Sequence, residues 1–188
     1  MQILALDMIA LAAKAHFDVD LNIEHVFSCE IEPFKQAYIE RNFHPPILFR
    51  DIRELGNKKA MTAYGSMVTV PGVCDILVAG TSCVDYSNLN NQQKTISQKG
   101  ESGQTFRGML QWIKKFQPPL VIIENVSGAP WDTKVKIFED ELNYHADFLR
   151  VDTKAYYIPH TRQRGYLVGV RKGSGVQGSN FLKGMFIT

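Results

Sequence analysis

Short apolar runs, each closed by Gly, Pro or an acidic residue, alternate along this chain with longer segments of helical spacing. Ile9, Ala12 and Ala13 predict a short helix over 7–16 with a buried stripe. HVFSCE, residues 25–30, is a brief β-rich run ending on an acid. Pro33 opens the next helix, where its missing N–H costs nothing, and FKQAYIERNF continues it. Pro45 and Pro46 end that helix, and 47–49 forms a second short strand closed by Asp51. Residues 58–64 are expected to be helical. CDILVAG, 74–80, is apolar without alternation, as in a strand buried on both faces.

From 81 to 103 Ser, Asn, Gln, Lys and Gly dominate, in a loop longer than a compact domain normally tolerates without a task for it. An amphipathic helix over 105–116 follows, then a buried strand over 119–125, again ending beside an acid. A helix over 132–144, a strand over 148–157 and a last strand over 165–171 complete the pattern, and the Gly- and Ser-rich stretch 173–188 reads as a loose tail. Buried strands alternating with helices indicate an α/β fold with a parallel sheet. The last two strands, joined by PHTRQR with no helix between them, are expected to pair antiparallel. In such sheets ligands sit outside the carboxyl ends of the strands. Glu30, Asp51, Cys83 and Glu124 each fall at such an end, which predicts one shared cleft.

Composition narrows the class. The chain has 188 residues, 45% of them hydrophobic and 21% charged, enough for a core and unlike a disordered segment. A net charge of +2 is too small for bulk charge to mark a nucleic-acid binder. Cys29, Cys74 and Cys83 are an odd number with no C-x-x-C spacing, which argues against a disulfide framework or a metal site and for a reducing compartment. The apolar N-terminal stretch is short and contains Asp7, so neither a signal peptide nor a membrane span is expected, and the protein is expected to be intracellular.

Cys83 leaves a buried strand at the start of the polar loop, the partly exposed setting in which a thiolate can react. Cys29 and Cys74 lie within or beside apolar strands and read as structural thiols. Glu124 follows an apolar run, so its carboxylate is costly unless hydrogen-bonded or protonated. Arg162 and Arg164 share one face by their period-two spacing and suit a phosphate or a base edge. Lys94, Lys99 and Arg107 flank the polar loop, where they could meet a phosphate backbone.

Taken in order, these segments resemble the motif series of the cytosine-5 DNA methyltransferases. SCEIEPFKQAYIERNF with RDI is similar to the cofactor-adenosine motifs, and DILVAGTSCVDYS to the nucleophile motif. IIENV resembles the glutamate motif and IPHTRQRGYLVGV the paired-arginine motif, with near-equal separations between Cys83, Glu124 and Arg164. The resemblance spans about Asp7 to Arg171, and TSCVDYSNLN looks more like the fungal members fused to chromatin-remodelling ATPases than the bacterial enzymes. It implies a Rossmann-like, class I S-adenosylmethionine-dependent methyltransferase sheet. It further implies transfer of a methyl group from S-adenosylmethionine to C5 of a flipped cytosine in DNA, in the nucleus. Cys83 would be the nucleophile and Glu124 its acid partner, with Arg162 and Arg164 binding the base or its phosphate. Glu30, Ile31, Asp51, Ile52 and Gly80 would hold the cofactor, and the loop over 87–103 would close behind the base.

The chain departs from that pattern in three places. Ser82-Cys83-Val84 stands where the family usually has Pro-Cys-Gln, and the Gly-rich first motif with its strand is missing. The sequence also ends at Thr188, before any target-recognition region. Residues 1–172 are therefore expected to be a partial catalytic domain that works with the remainder of a larger methyltransferase. A transfer-RNA cytosine methyltransferase of the same superfamily, or an inactive nucleic-acid-binding remnant, are the competing readings.

Overall fold

The computed structural model describes residues 2–85 and 100–174, with side chains from Leu6 onward. The chain divides into two compact units, Met1–Pro71 and Gly72–Thr188.

In the first unit, α1 (Gln2–Phe17) begins before the expected 7–16. Its apolar residues are not buried as a stripe: Met8, Ile9 and Leu11 are all at least half exposed. The helix is apolar on nearly every side, so periodicity alone could not mark an inner face. Strand β1 (Ser28–Cys29) leads to α2 (Pro33–Phe43), which opens on Pro33 as expected. Helix α2 closes on His44 in the left-handed conformation, whose N–H donates to Glu40 O at 3.2 Å. Strand β2 (Leu48–Phe49) then returns parallel to β1, pairing Ser28 with Leu48 and Cys29 with Phe49. Phe27 packs edge-on against the buried Phe49 ring.

The expected helix over 58–64 is instead a β-hairpin, β3 (Lys59–Met61) against β4 (Met67–Thr69). Gly65 turns it at φ +82°, a backbone conformation glycine takes without steric cost. Thr62 N–H donates to Ser66 O at 2.8 Å and closes the turn. Ala60 and Thr62, two apart, are both buried, the period of a strand rather than a helix.

The second unit is a four-stranded sheet with order β5-β6-β8-β7. Its strands are β5 (Ile76–Gly80), β6 (Leu120–Val126), β7 (Tyr144–Asp152) and β8 (Gln163–Arg171). Strands β5 and β6 are parallel, and β8 runs antiparallel to both of its neighbours, as the PHTRQR connection predicts. Helix α3 (Glu101–Phe116) crosses from β5 to β6, and α4 (Trp131–Asp140) lies between β6 and β7. Phe106, Met109, Trp112 and Ile113 of α3 are buried, as are Val121 and Ile123 of β6 and Leu167, Val168 and Val170 of β8.

Strand β5 is not buried on both faces: it forms an edge of this sheet, and Ile76 is exposed. Helix α4 stops at Asp140, short of the expected Tyr144, because Asn143 adopts φ +63° and Tyr144 starts β7. The strand expected over 148–157 is shifted accordingly: β7 ends at Asp152, whose carboxylate accepts from Lys154 N–H at 3.0 Å and starts a 3-10 turn over Thr153–Tyr156.

Candidate active site

The sheet register places the catalytic candidates at one end of the second unit. Gly80, the last residue of β5, pairs with Glu124 of β6, which pairs in turn with Tyr166 of β8. Cys83 lies three residues beyond that row and is half-buried. Arg164 stands opposite Val126, diagonal to Glu124 on the same face. Its Nε reaches Glu124 Oε1 at 3.0 Å, each side chain about one quarter exposed. Hydrogen bonding therefore meets the demand that the apolar run around Glu124 creates. Arg162 is exposed and held through its backbone, its N–H donating to Thr153 Oγ1 at 2.9 Å.

Three fastenings of the Cys83 segment were not anticipated from the sequence. Asn125, 2% exposed, donates from Nδ2 to Thr81 Oγ1 at 3.0 Å, to Thr81 O at 3.1 Å and to Ser82 O at 3.4 Å. The residue beside Glu124 thus ties down the two residues before Cys83. On the other side of the thiol, Asp85 and Ser102 make a reciprocal pair. Asp85 N–H donates to Ser102 Oγ at 3.0 Å, and Ser102 N–H donates to Asp85 Oδ2 at 2.7 Å. Asp85 thereby supplies the N-terminal cap of α3, whose own flanking residue, Gly100, has no side chain to do so. Ser82 Oγ also donates to Glu101 Oε1 at 2.9 Å. The ENV and SCVD strings carry a signal for these contacts only in hindsight, because each joins residues distant in the chain.

The cofactor candidates Glu30, Ile31, Asp51 and Ile52 gather in the first unit. Glu30 and Asp51 follow the paired parallel strands β1 and β2 at their carboxyl ends. Glu30 Oε1 accepts from Glu32 N–H at 3.0 Å, and Ile31 is 54% exposed. Both oxygens of Asp51 take hydrogen bonds from Arg53, whose backbone N–H and Nε each lie 2.9 Å from Oδ1. Burial works against ionisation of Asp51, but the bonds and charge of Arg53 outweigh it and hold the carboxyl below its ordinary range. Burial, with Asp51, Glu30 and Glu54 nearby, pushes the Cys29 thiol well up, and burial with Asp75 raises Cys74 to about 11. An acidic, partly apolar surface at the ends of two parallel strands fits a ribose and an adenine ring, whose hydroxyls and amine are donors.

Lys94 and Lys99 lie outside the described residues, as does the loop from 86 to 99. Of the expected closing segment, 101–103 is the first turn of α3, with Ser102 and Gly103 buried, and Arg107 is exposed on the same helix. No cluster that could hold a metal ion occurs among the described residues, and none of their helices is long and apolar enough to cross a membrane.

The fold is that of the Rossmann-like class I methyltransferases. Solved structures agree on the fold: the Dnmt2 methyltransferase of S. pombe superposes with TM-score 0.56 at 16% identity, covering 96% of this chain and 53% of its own. The Entamoeba histolytica methyltransferase EhMeth gives 0.58 at 12% identity, over 89% and 51%. The family model for C-5 cytosine-specific DNA methylases matches residues 7–186, and the chain belongs to that family.

Among curated relatives, the DNA (cytosine-5-)-methyltransferase DMT5 of Cryptococcus neoformans var. grubii is 66% identical over 172 residues, 92% of this chain. Its counterpart in Verticillium dahliae is 34% identical over 79% of this chain. The type II methyltransferase M.HpaII of Haemophilus parainfluenzae is 27% identical over 83% of it. The chain spans only 7% and 8% of the two DMT5 proteins and 42% of M.HpaII.

Proposed function

We propose that this chain carries the chemistry of a DNA cytosine-5 methyltransferase, with Cys83 as nucleophile. One observation supports this most: Glu124 and Arg164 are paired at 3.0 Å at the same sheet end from which the anchored Cys83 segment leaves. Covalent catalysis splits a difficult substitution into easier steps. The Cys83 thiolate forms a bond from Sγ to C6 of cytosine, while Glu124 hydrogen-bonds N3 so that the ring accepts the electron pair. C5 then carries the nucleophilic electrons. S-adenosylmethionine, when bound, supplies the methyl group. Loss of the C5 proton expels Cys83 and restores the ring.

Arg164 orients Glu124 and, with Arg162, meets the base carbonyl or the adjacent phosphate. In the first unit Glu30 and Asp51 would receive the ribose hydroxyls and adenine amine of S-adenosylmethionine, and Ile31 and Ile52 would flank its ring. Because C6 is inaccessible inside a duplex, the base must be extruded. The names of the DMT5 relatives favour DNA over transfer RNA as the substrate. A fungal DNA methyltransferase would work in the nucleus, and the small share of DMT5 that this chain spans suits a part of a larger methyltransferase.

Duplex DNA containing 5-fluorocytosine tests the reading, because fluorine at C5 blocks the final elimination. With S-adenosylmethionine present, the wild-type chain should form a denaturation-resistant DNA complex and Cys83→Ser should form none. Trapping by the serine variant, or no trapping by the wild type, overturns it.

A further inference from the structure

Strands β7 and β8 are joined by residues 153–162, and the register fixes where this connection emerges. Asp152 pairs with Gln163, and Arg164 pairs with both Val151 and Val126. The connection therefore leaves the sheet at the end that carries Glu124 and the Cys83 segment. At its tip, Tyr157 is 98% exposed, with Tyr156 at 62% and Ile158 at 42% on either side. Three adjacent exposed apolar side chains are unusual on a solvated surface and mark a contact site.

The backbone there is also strained. Tyr157 sits at φ +58°, in the left-handed region where a side-chain Cβ crowds the following carbonyl. Nothing in the packing of this tyrosine compensates for that, since its ring lies in solvent. The segment is nevertheless firmly tied. Tyr157 N–H donates to Lys154 O at 3.2 Å, Ile158 N–H to Thr153 O at 3.3 Å, and Thr153 Oγ1 to His160 O. A rigid exposed aromatic loses little freedom on binding. The connection itself, residues 153–162, carries Lys154 and Arg162, with His160 and no carboxylate; Asp152 caps its first turn, and Arg164 just beyond it is paired with Glu124.

We infer that the tip of this connection is a DNA-contacting surface on which Tyr157 stacks against a base or sugar beside the reacting cytosine. It rests on the DNA reading above. An aromatic face with flanking cations is the combination that grips unstacked nucleotides, the ring supplying stacking and the cations neutralising phosphate. A base extruded from the duplex leaves an unstacked neighbour, which an aromatic side chain can cover.

Fluorescence anisotropy with a labelled cytosine-containing duplex, with thermal melts of the same samples, tests this. Tyr157→Phe should bind within about twofold of wild type, while Tyr157→Gly should bind about tenfold more weakly, the scale of one lost stacking contact. Glycine relieves the left-handed strain, so the melting temperature of Tyr157→Gly should equal or exceed that of wild type, which separates lost binding from lost folding. The salt dependence should be unchanged in Tyr157→Gly and shallower by about one ion in Arg162→Ala. Wild-type binding that Tyr157→Gly leaves intact overturns this inference alone and leaves the surface to a protein partner. A wild type that neither binds nor is trapped by 5-fluorocytosine DNA overturns the functional reading and this inference together.

Discussion

Asn125 shows how one side chain can set a reactive loop. Its Nδ2 satisfies Thr81 O and Oγ1 and reaches Ser82 O, all where solvent is scarce. Asn125→Ala would leave those acceptors short of donors and should lower stability by about 2 kcal/mol in a denaturant titration. Asn125→Asp should cost more, because a carboxylate would face the two carbonyls; a neutral result for either variant would contradict the anchoring role. The thiols differ in a way that alkylation can read. Burial raises Cys74 to about 11 and Cys29 further still, so at pH 8 Cys74 should react on the order of 100-fold more slowly than a thiol of ordinary pKa, and Cys29 more slowly again. Cys83 should be modified first, as peptide mass mapping with iodoacetamide would show. The sequence already separated these cysteines, because two lie in or beside apolar strands and one leaves a strand for a polar loop. It could not show Arg164 paired to Glu124, since that contact depends on the register of two strands.

At the scale of elements, the segment carrying Cys83 is closed by the reciprocal pair between Asp85 and Ser102. The same pair caps α3, so the helix and the loop are stabilised by one device. Asp85→Ala and Ser102→Ala should each destabilise by about 2 kcal/mol, and the double variant by about 1 kcal/mol less than their sum. Additive losses in that cycle would mean the two residues act separately. Gly100→Ala should also destabilise, because a Cβ there would lie 2.3 Å from Asp85 Oδ2. Element types were legible where period or punctuation was clear: Pro33 for α2, and the apolar runs of β5, β6 and β8. They were not legible over 58–64, where Lys, Ala and Met favour helix locally while the turn at Gly65 and the pairing of β3 with β4 decide otherwise. The boundary between α4 and β7 was misplaced for a related reason. Phe138 and Leu142 fit a helical face, but Asn143 turns the chain and Tyr144 anchors the strand through its hydroxyl, which donates to Pro118 O at 2.6 Å.

For the molecule as a whole, stability should be uneven and, in the second unit, dependent on pH. Among the described residues, most buried apolar side chains belong to that unit, so amide exchange should be slowest in β6 and β8 and faster in β1 to β4. Within it Lys134 is fully buried, its Nζ 4.8 Å from the centres of both the Phe106 and Trp131 rings. Burial lowers its pKa from 10.5 to about 8, against which the two ring faces offer a cation only partial compensation. Between those values the unfolded chain holds a proton that the native chain has released, so this group's contribution to stability rises with pH across that window. Below about 8 both states are protonated and the full cost of burying the charge is present. Cys74 and Tyr144, and Cys29 in the first unit, whose burial raises their pKa values, act in the opposite direction from about 9 upward, so the wild-type curve alone would mix these titrations with that of Lys134. The difference from Lys134→Met, which keeps the volume and removes the charge, isolates the lysine. At pH 7 the methionine variant should be more stable by about 2 kcal/mol, and this advantage should shrink steadily from pH 8 to 10.5. Chemical denaturation at four or five pH values would measure it. A constant difference, or a methionine variant less stable at neutral pH, would show that the rings hold the ammonium well enough for its charge to cost nothing.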